Sequence, residues 1–365
     1  MKCLFVLIFF SAFKAEAFPE FVRHGYTNCI ACHVSPSGGG VLTEYGRSLS
    51  KEIMSTWSRE GEENVLWGAV HPPEWLNVGG DVRYIQTYLN NPTVRQGDFF
   101  PMQADLDVAG IYKKWTADVT AGAQEGPTNT KQLGQFLSRR HYLNYRPTDD
   151  TSIRAGRFFY QYGINQPNHT TVIAQGLGKD EGTESYNLET AFLGDTMDAY
   201  ATIVFGRPDD YRVDAEKGLA LSSSRTFLEK LKVGASLFIG ENNSATRKLG
   251  GLYGILGFTK NFFILTQADY QIRDAKAIGI HETHGMATYN RIDYEFYQGI
   301  HLYFVHQLSY LDFEGISSRN DSYGLGTQLF PRPHFELAAE FYKQRTMSQF
   351  DTYYDVGWIL LHYYL

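Results

Sequence analysis

Cysteine is nearly absent, with 3 in 365 residues, and no second cysteine pair exists to complete the four-ligand set of a structural zinc site. Long hydrophobic runs are missing as well. No stretch approaches the roughly 18 consecutive apolar residues of a membrane helix, which leaves an exported chain as a soluble protein or a β-barrel. Positive charge is not in excess, since 33 Lys and Arg face 40 Asp and Glu, and the basic footprint of nucleic-acid binding is therefore lacking. There is no Ser-His-Asp arrangement, phosphate loop or spaced carboxylate pair. His281-Glu282-Thr283-His284 lacks the His-Glu-x-x-His spacing and reads as loop polarity. What is abundant is 25 Tyr, 25 Phe and 35 Gly, a set that suits long strands and turns and tells against a helical bundle.

Met1-Lys2, an apolar run from Cys3 to Phe13 and the small-x-small triplet Ala15-Glu16-Ala17 read as a secretory signal peptide over residues 1–17, cut before Phe18. Its apolar run is too short to span a bilayer. Removal takes Cys3 with it and leaves Cys29 and Cys32 as the thiols of the mature chain.

Those two stand in Cys29-Ile30-Ala31-Cys32-His33, followed by Val34-Ser35-Pro36-Ser37 and then Gly38-Gly39-Gly40. Two cysteines at i and i+3 with a histidine directly after them form the c-type haem attachment spacing. The motif resembles that of c-type cytochromes. The resemblance implies one covalent haem c, thioether-linked at Cys29 and Cys32, with His33 as the proximal iron ligand. A Cys-x-x-Cys disulfide or half a zinc site are the bland alternatives. Axial identity is not readable from spacing, so His24, His71 and Met54 are all candidates for the distal position. His141, His301, His306 and His362 are further histidines that a barrel could turn inward.

Residues 18–74 form a distinct N-terminal segment, which the resemblance implies is haem-binding. Leu42, Tyr45, Leu49, Ile53 and Trp57 recur at helical spacing, with Thr43 as N-cap and Gly61 beyond the end, which predicts one amphipathic helix. The glycine triplet reads either as a close pass beside a flat ligand or as a flexible linker.

From Trp75 to Leu365 period-two alternation takes over. Met102, Ala104, Leu106, Val108, Gly110 and Tyr112 share one face while Gln103, Asp105, Asp107 and Lys113 share the other. The pattern returns at 262–273, and again where Ile292, Tyr294 and Phe296 oppose Arg291, Asp293 and Glu295. About sixteen such runs are found, with short turns after the even ones and mostly long polar loops, such as Gln161 to Thr183, after the odd ones. Apolar-out, polar-in strands with short turns at one rim predict an all-β fold, a transmembrane antiparallel up-and-down barrel over residues 75–365. The last strand sets Gly357, Ile359, Leu361, Tyr363 and Leu365 on the lipid face, with Trp358 and His362 opposite.

In outline the chain resembles a porin-sized bacterial outer-membrane barrel carrying a c-type haem segment, an arrangement similar to systems that pass electrons through the outer membrane. The resemblance implies an outer-membrane location in contact with lipid, and the even strand count puts the haem segment on the periplasmic side or in the lumen. The expected function is electron transfer with a periplasmic or cell-surface redox partner. The alternative is a diffusion porin whose haem segment is a plug or redox gate. A haem enzyme is a third reading that lacks a placed acid or base, so the chain reads as a carrier or pore rather than a catalyst. Barrels of this size often trimerise, and a homo-oligomer is expected by that analogy.

Overall fold

The structure is a computed structural model that describes residues 19–125, 133–277, 281–315, 319–347 and 352–365; the signal-peptide region lies outside them. Sixteen antiparallel staves close into one barrel. They are β1 (Leu76–Asn90), β2 (Phe99–Tyr112), β3 (Trp115–Glu125), β4 in two pieces (Leu133–Leu137 and His141–Thr148), β5 (Thr151–Phe158), β6 (Ser185–Leu193), β7 (Met197–Gly206) and β8 (Lys217–Phe227). The second half comprises β9 (Leu231–Glu241), β10 (Ala245–Gly257), β11 (Phe262–Ala275), β12 (Thr283–Tyr297), β13 (Ile300–Tyr310), β14 (Arg319–Leu329), β15 (Phe335–Thr346) and β16 (Tyr354–Tyr364). Each stave pairs with its sequence neighbour, and β1 pairs with β16 from Asp81↔Tyr364 to Asn90↔Asp355, which removes both sheet edges. A two-residue piece, Arg95–Gln96, folds back on the end of β1.

Alternation sorts the faces as the sequence predicts. Leu106, Tyr112, Tyr270, Ile292, Tyr294, Phe296, Ile359 and Leu361 are exposed on the outside, while Gln103, Asp107, Gln267, Asp269, Asp293, Glu295 and His362 are buried inside. With one face turned to lipid and the other to the lumen, a one-residue slip would invert every stave, so the register is strongly specified.

The interior holds more than the N-terminal segment. The segment from Gln161 to Thr183, read as an outer polar loop, turns inward instead. Its Tyr162, Ile164, Ile173 and Leu177 join Val22 of the N-terminal segment and the wall residues Phe238, Leu249, Phe263 and Leu265 in one buried cluster. The reason is compositional, because Tyr160, Tyr162 and Ile164 alternate and have no lipid to face. Lys179 secures the fold by donating to the Tyr162 carbonyl at 2.8 Å, and burial pushes its ammonium down to about 8.

Residues 19–55 also lie at or inside the end of the barrel where the short turns are. Arg23 donates to Glu295 at 2.6 Å and stacks on Phe263, 4.6 Å from the ring centre. The Lys232 ammonium bridges the Thr27 carbonyl and Asp198, and Gln298 donates to the Ser55 carbonyl at 2.8 Å. Each of these contacts replaces the water that a buried charge or carbonyl would otherwise lose.

The expected helix is shorter than the spacing suggested. Thr43 caps it by accepting from Gly46 N–H at 3.1 Å, and it runs over Glu44–Leu49 before a π-turn at Ser50–Met54. It stops there because Ser55 N–H and Oγ both donate to the Ser50 carbonyl. Thr56 and Trp57 then donate to the carbonyls of Phe330 and Pro331 on the rim, which carries Trp57 away from the helix and into solvent.

Candidate functional site: the lumenal plug and its Cys-x-x-Cys-His turn

Cys29–Ala31 form a single 3₁₀ turn. The N–H groups of Cys32 and His33 both donate to the Cys29 carbonyl, at 3.2 and 2.9 Å, so the two cysteines and the histidine are held on one helical turn. His33 then pairs with Leu42 across a small hairpin, and Val34 N–H donates to the Val41 carbonyl at 3.0 Å.

The tip of this hairpin is firmly held, so the linker reading of the glycine triplet does not stand. Gly38, Gly39 and Gly40 have φ values of 80°, 72° and 68°, a left-handed run that β-carbons would disfavour. A Cβ at Gly38 would also come within 3.2 Å of the Cys29 sulfur. Arg154 of β5 reaches the tip and donates to Ser35 Oγ at 2.9 Å, Ser37 Oγ at 3.0 Å and Glu189 of β6 at 2.7 Å. Asn165 of the inward loop donates to the Ser37 carbonyl at 2.8 Å, and the Tyr200 hydroxyl to that of Pro36 at 3.1 Å.

Cys32 is fully buried, against Leu49, Tyr26, Ala31, Tyr45 and Ile53. The helix passes so close that any side chain at Gly46 would collide with the Cys32 carbonyl. Cys29 is half-buried and borders a small void with Lys232 and Tyr200. His33 is buried on the wall of a cavity of about 220 Å³, shared with Gly38–Gly40, Met54 and His362.

The candidate distal groups therefore separate. Met54 shares the cavity with His33. His71 is exposed on the approach to β1. His24 sits elsewhere, receiving a hydrogen bond from Arg23 Nε at 3.1 Å beside Phe21. Of the barrel histidines, His362 reaches this cavity, but its Nδ1 lies 2.8 Å from Glu336 and its Nε2 2.7 Å from Asp81. His301 faces the lumen and engages Asp293 through Nδ1 at 2.8 Å.

The residues fit a c-type haem in their donor chemistry: two thiols and an imidazole on one turn, and a thioether on the imidazole's cavity. The burial of Cys32 adds a condition, because its sulfur can react only while the helix is lifted from Gly46's contact. No group of three or more metal-ligating side chains occurs among the described residues.

Burial and the neighbouring Arg23, Lys260 and His301 charges lower the His24 imidazole to about 4. The folded form then binds fewer protons than the unfolded chain between pH 6.5 and about 4. Its contribution is complete above 6.5 and is lost as pH falls toward 4. Limited proteolysis at pH 7 and pH 4.5 is expected to cut residues 19–31 faster at the lower pH, and His24→Gln is expected to flatten that dependence.

Sequence reasoning missed Arg154, Arg23, Lys232 and the inward loop. A single arginine on an alternating strand looks like any lumenal charge, and its partner lies more than a hundred residues away.

No protein-family model and no curated protein matches the sequence. Solved structures do match in fold. OmpT of Vibrio cholerae, an outer membrane protein solved in a trimer form, superposes with a TM-score of 0.63 at 13% identity, over 80% of this chain and 99% of its own. The outer membrane channel DcaP of Acinetobacter baumannii gives 0.60 at 11%, over 80% and 97%. The anion-selective porin of Comamonas acidovorans gives 0.58 at 10%, over 80% and 99%. This chain is thus similar in fold to porins and outer-membrane channels.

Proposed function

We propose that this chain is a bacterial outer-membrane barrel of the porin type whose passage is controlled by its own N-terminal plug, and that the plug carries one haem c. The observation that carries the reading is the wedging of residues 19–55 into the end of the barrel by Arg23–Glu295, Lys232–Asp198 and Arg154 with its serines. The likeness in fold to a channel and a porin supports solute passage as the use of the barrel. Beside the plug lies a second cavity of about 490 Å³, bordered by Arg83, Tyr303, Trp358 and Glu340 and sharing Arg83 and His362 with the cavity of His33.

Cys29 and Cys32 would hold the haem and His33 would ligate its iron, and Met54, which lines the same cavity as His33, is the candidate second protein ligand. When bound, the group supplies one-electron redox chemistry. The chain's own residues fix the turn, bury the imidazole and exclude bulk water around it. The short-turn rim then faces the periplasm.

Single-channel conductance in planar bilayers tests the gate. The intact protein is expected to conduct weakly, and a variant lacking residues 28–57 several-fold more. Equal conductance would sink the plug reading.

A second reading, electron transfer, is favoured by the burial of the Cys-x-x-Cys-His turn within the barrel, with Val22 beside it packed on the inward loop. It is checked by the rate at which an external reductant bleaches a dye trapped in proteoliposomes.

A further inference from the structure

After the helix the chain leaves the lumen. Trp57 N–H is tied to the Pro331 carbonyl at 3.0 Å, Arg332 donates to Glu62 at 3.0 Å, and residues 64–70 then cross the rim onto the barrel's outer surface. The crossing is fixed by Trp67, whose ring stacks on Phe335 at 6.1 Å between centroids and 23° between planes, and lies 5.6 Å from Tyr363. Phe335 and Tyr363 are cross-strand neighbours on β15 and β16. They sit on the face of Leu337 and Leu361, opposite the lumenal Glu336 and His362. Trp67 is therefore an addition to the lipid-facing wall made by a segment that is not part of the barrel.

Two features of this strap are unusual. Leu66 and Trp67 adopt φ values of 47° and 55°, a left-handed pair that non-glycine residues rarely enter unless the surroundings impose it. Their side chains and that of Val70 are also 40%, 47% and 44% exposed. The exposure makes sense at a lipid boundary, where exposed apolar area is taken out of water and an indole is at home at headgroup depth, and the left-handed pair is the turn that aims Leu66 and Trp67 at the wall. Neighbouring positions at the same rim, Tyr112, Trp115, Phe296 and Tyr297, present exposed aromatics, as the girdle of a membrane barrel does.

We propose that residues 64–70 form a membrane-interface strap. Leu66, Trp67 and Val70 seat in the headgroup–acyl boundary of the leaflet at the short-turn rim, and so tether the outgoing end of the plug to the β15–β16 wall. The occupant of this face is lipid. The inference rests on the membrane-embedded reading of the barrel, and flotation tests that reading separately.

The full chain and Trp67→Phe are reconstituted in phosphatidylcholine vesicles whose acyl chains carry bromine either near the headgroup or near the methyl end. Both proteins are expected to float with the vesicles. The parent should show a tryptophan component quenched by the shallow bromines that Trp67→Phe lacks, with deep bromines quenching the two alike. Leu66→Asp keeps the reporter and is expected to lose the shallow quenching.

The strap is overturned if shallow bromines quench parent and Trp67→Phe equally, or if the missing component responds to aqueous iodide alone. It is also overturned if Trp67 is shielded from both quenchers only in oligomeric fractions, which would assign the face to a second copy of the chain. A parent protein that fails to float removes the embedded barrel itself, and the strap with it.

Discussion

Protein exported along a route that attaches c-type haem is expected to carry one porphyrin that survives denaturation, and the Cys29→Ala, Cys32→Ala double variant none. The measurement is the pyridine haemochrome spectrum together with intact mass. The effect is all or nothing because Cys29 and Cys32 are the only thiols of the chain besides Cys3, and thioether bonds are the only covalent links the motif provides. Single variants are expected to keep one link and to shift the haemochrome band. A second outcome follows from packing: with Cys32 fully buried beneath the Gly46 turn, haem added to folded, reduced apoprotein should not become attached, whereas the same chain matured before folding should. If matured protein is colourless and alkylation finds two ordinary thiols, the haem assignment is wrong and the plugged barrel stands without it.

The second large effect is expected at Arg154. This guanidinium is 1% exposed, as is its partner Glu189, and it lies 3.7 Å from the centre of the Phe158 ring. It joins the wall of the barrel to both Ser35 and Ser37 of the plug tip. Arg154→Ala leaves the Glu189 carboxylate buried with only the Thr202 hydroxyl, which donates at 3.0 Å. Removing one partner of a buried pair costs about 3–5 kcal/mol. The variant is expected to melt earlier and to expose residues 34–41 to protease. Arg154→Ala with Glu189→Gln removes the orphaned charge, so barrel stability should largely return while the tip stays loose and the conductance stays high. If the double variant restores both together, Arg154 supports the wall and not the plug.

The barrel was legible because lipid on one side and polar groups on the other impose a period of two that survives in one sequence. Leu106 against Asp105 and Asp107, or Ile292 against Arg291 and Asp293, reveals the face of its strand without a neighbour. The short turns were legible for the same reason, since Gly194-Asp195 and Gln298-Gly299 interrupt that rhythm at one rim only.

The Cys-x-x-Cys-His turn was visible as spacing. Its position inside the lumen depends on pairings such as Arg23 with Glu295, 272 residues apart, which no local pattern encodes. The inward loop was misread because its polar residues, Asn165, Gln166, Asn168 and Lys179, outnumber the few apolar ones that decide its direction. The helix was overextended because Trp57 falls in register by chance, while Ser55 closes the last turn through its own hydroxyl. Of the distal candidates, only the tertiary fold could bring Met54 to the cavity of His33 and leave His24 and His71 elsewhere.

The closing seam carries one more consequence. At Gly79 of β1 a methyl group would stand 3.3 Å from the Cα of Val41 and 3.1 Å from the carbonyl of Leu365, so the plug hairpin, the first stave and the final residue of the chain meet at a single point. Leu365 N–H also donates to the Gly80 carbonyl at 2.9 Å. A side chain at Gly79 would press on the hairpin and on the closing β1–β16 pair together, so seating of the N-terminal segment and closure of the cylinder are sensitive to the same position.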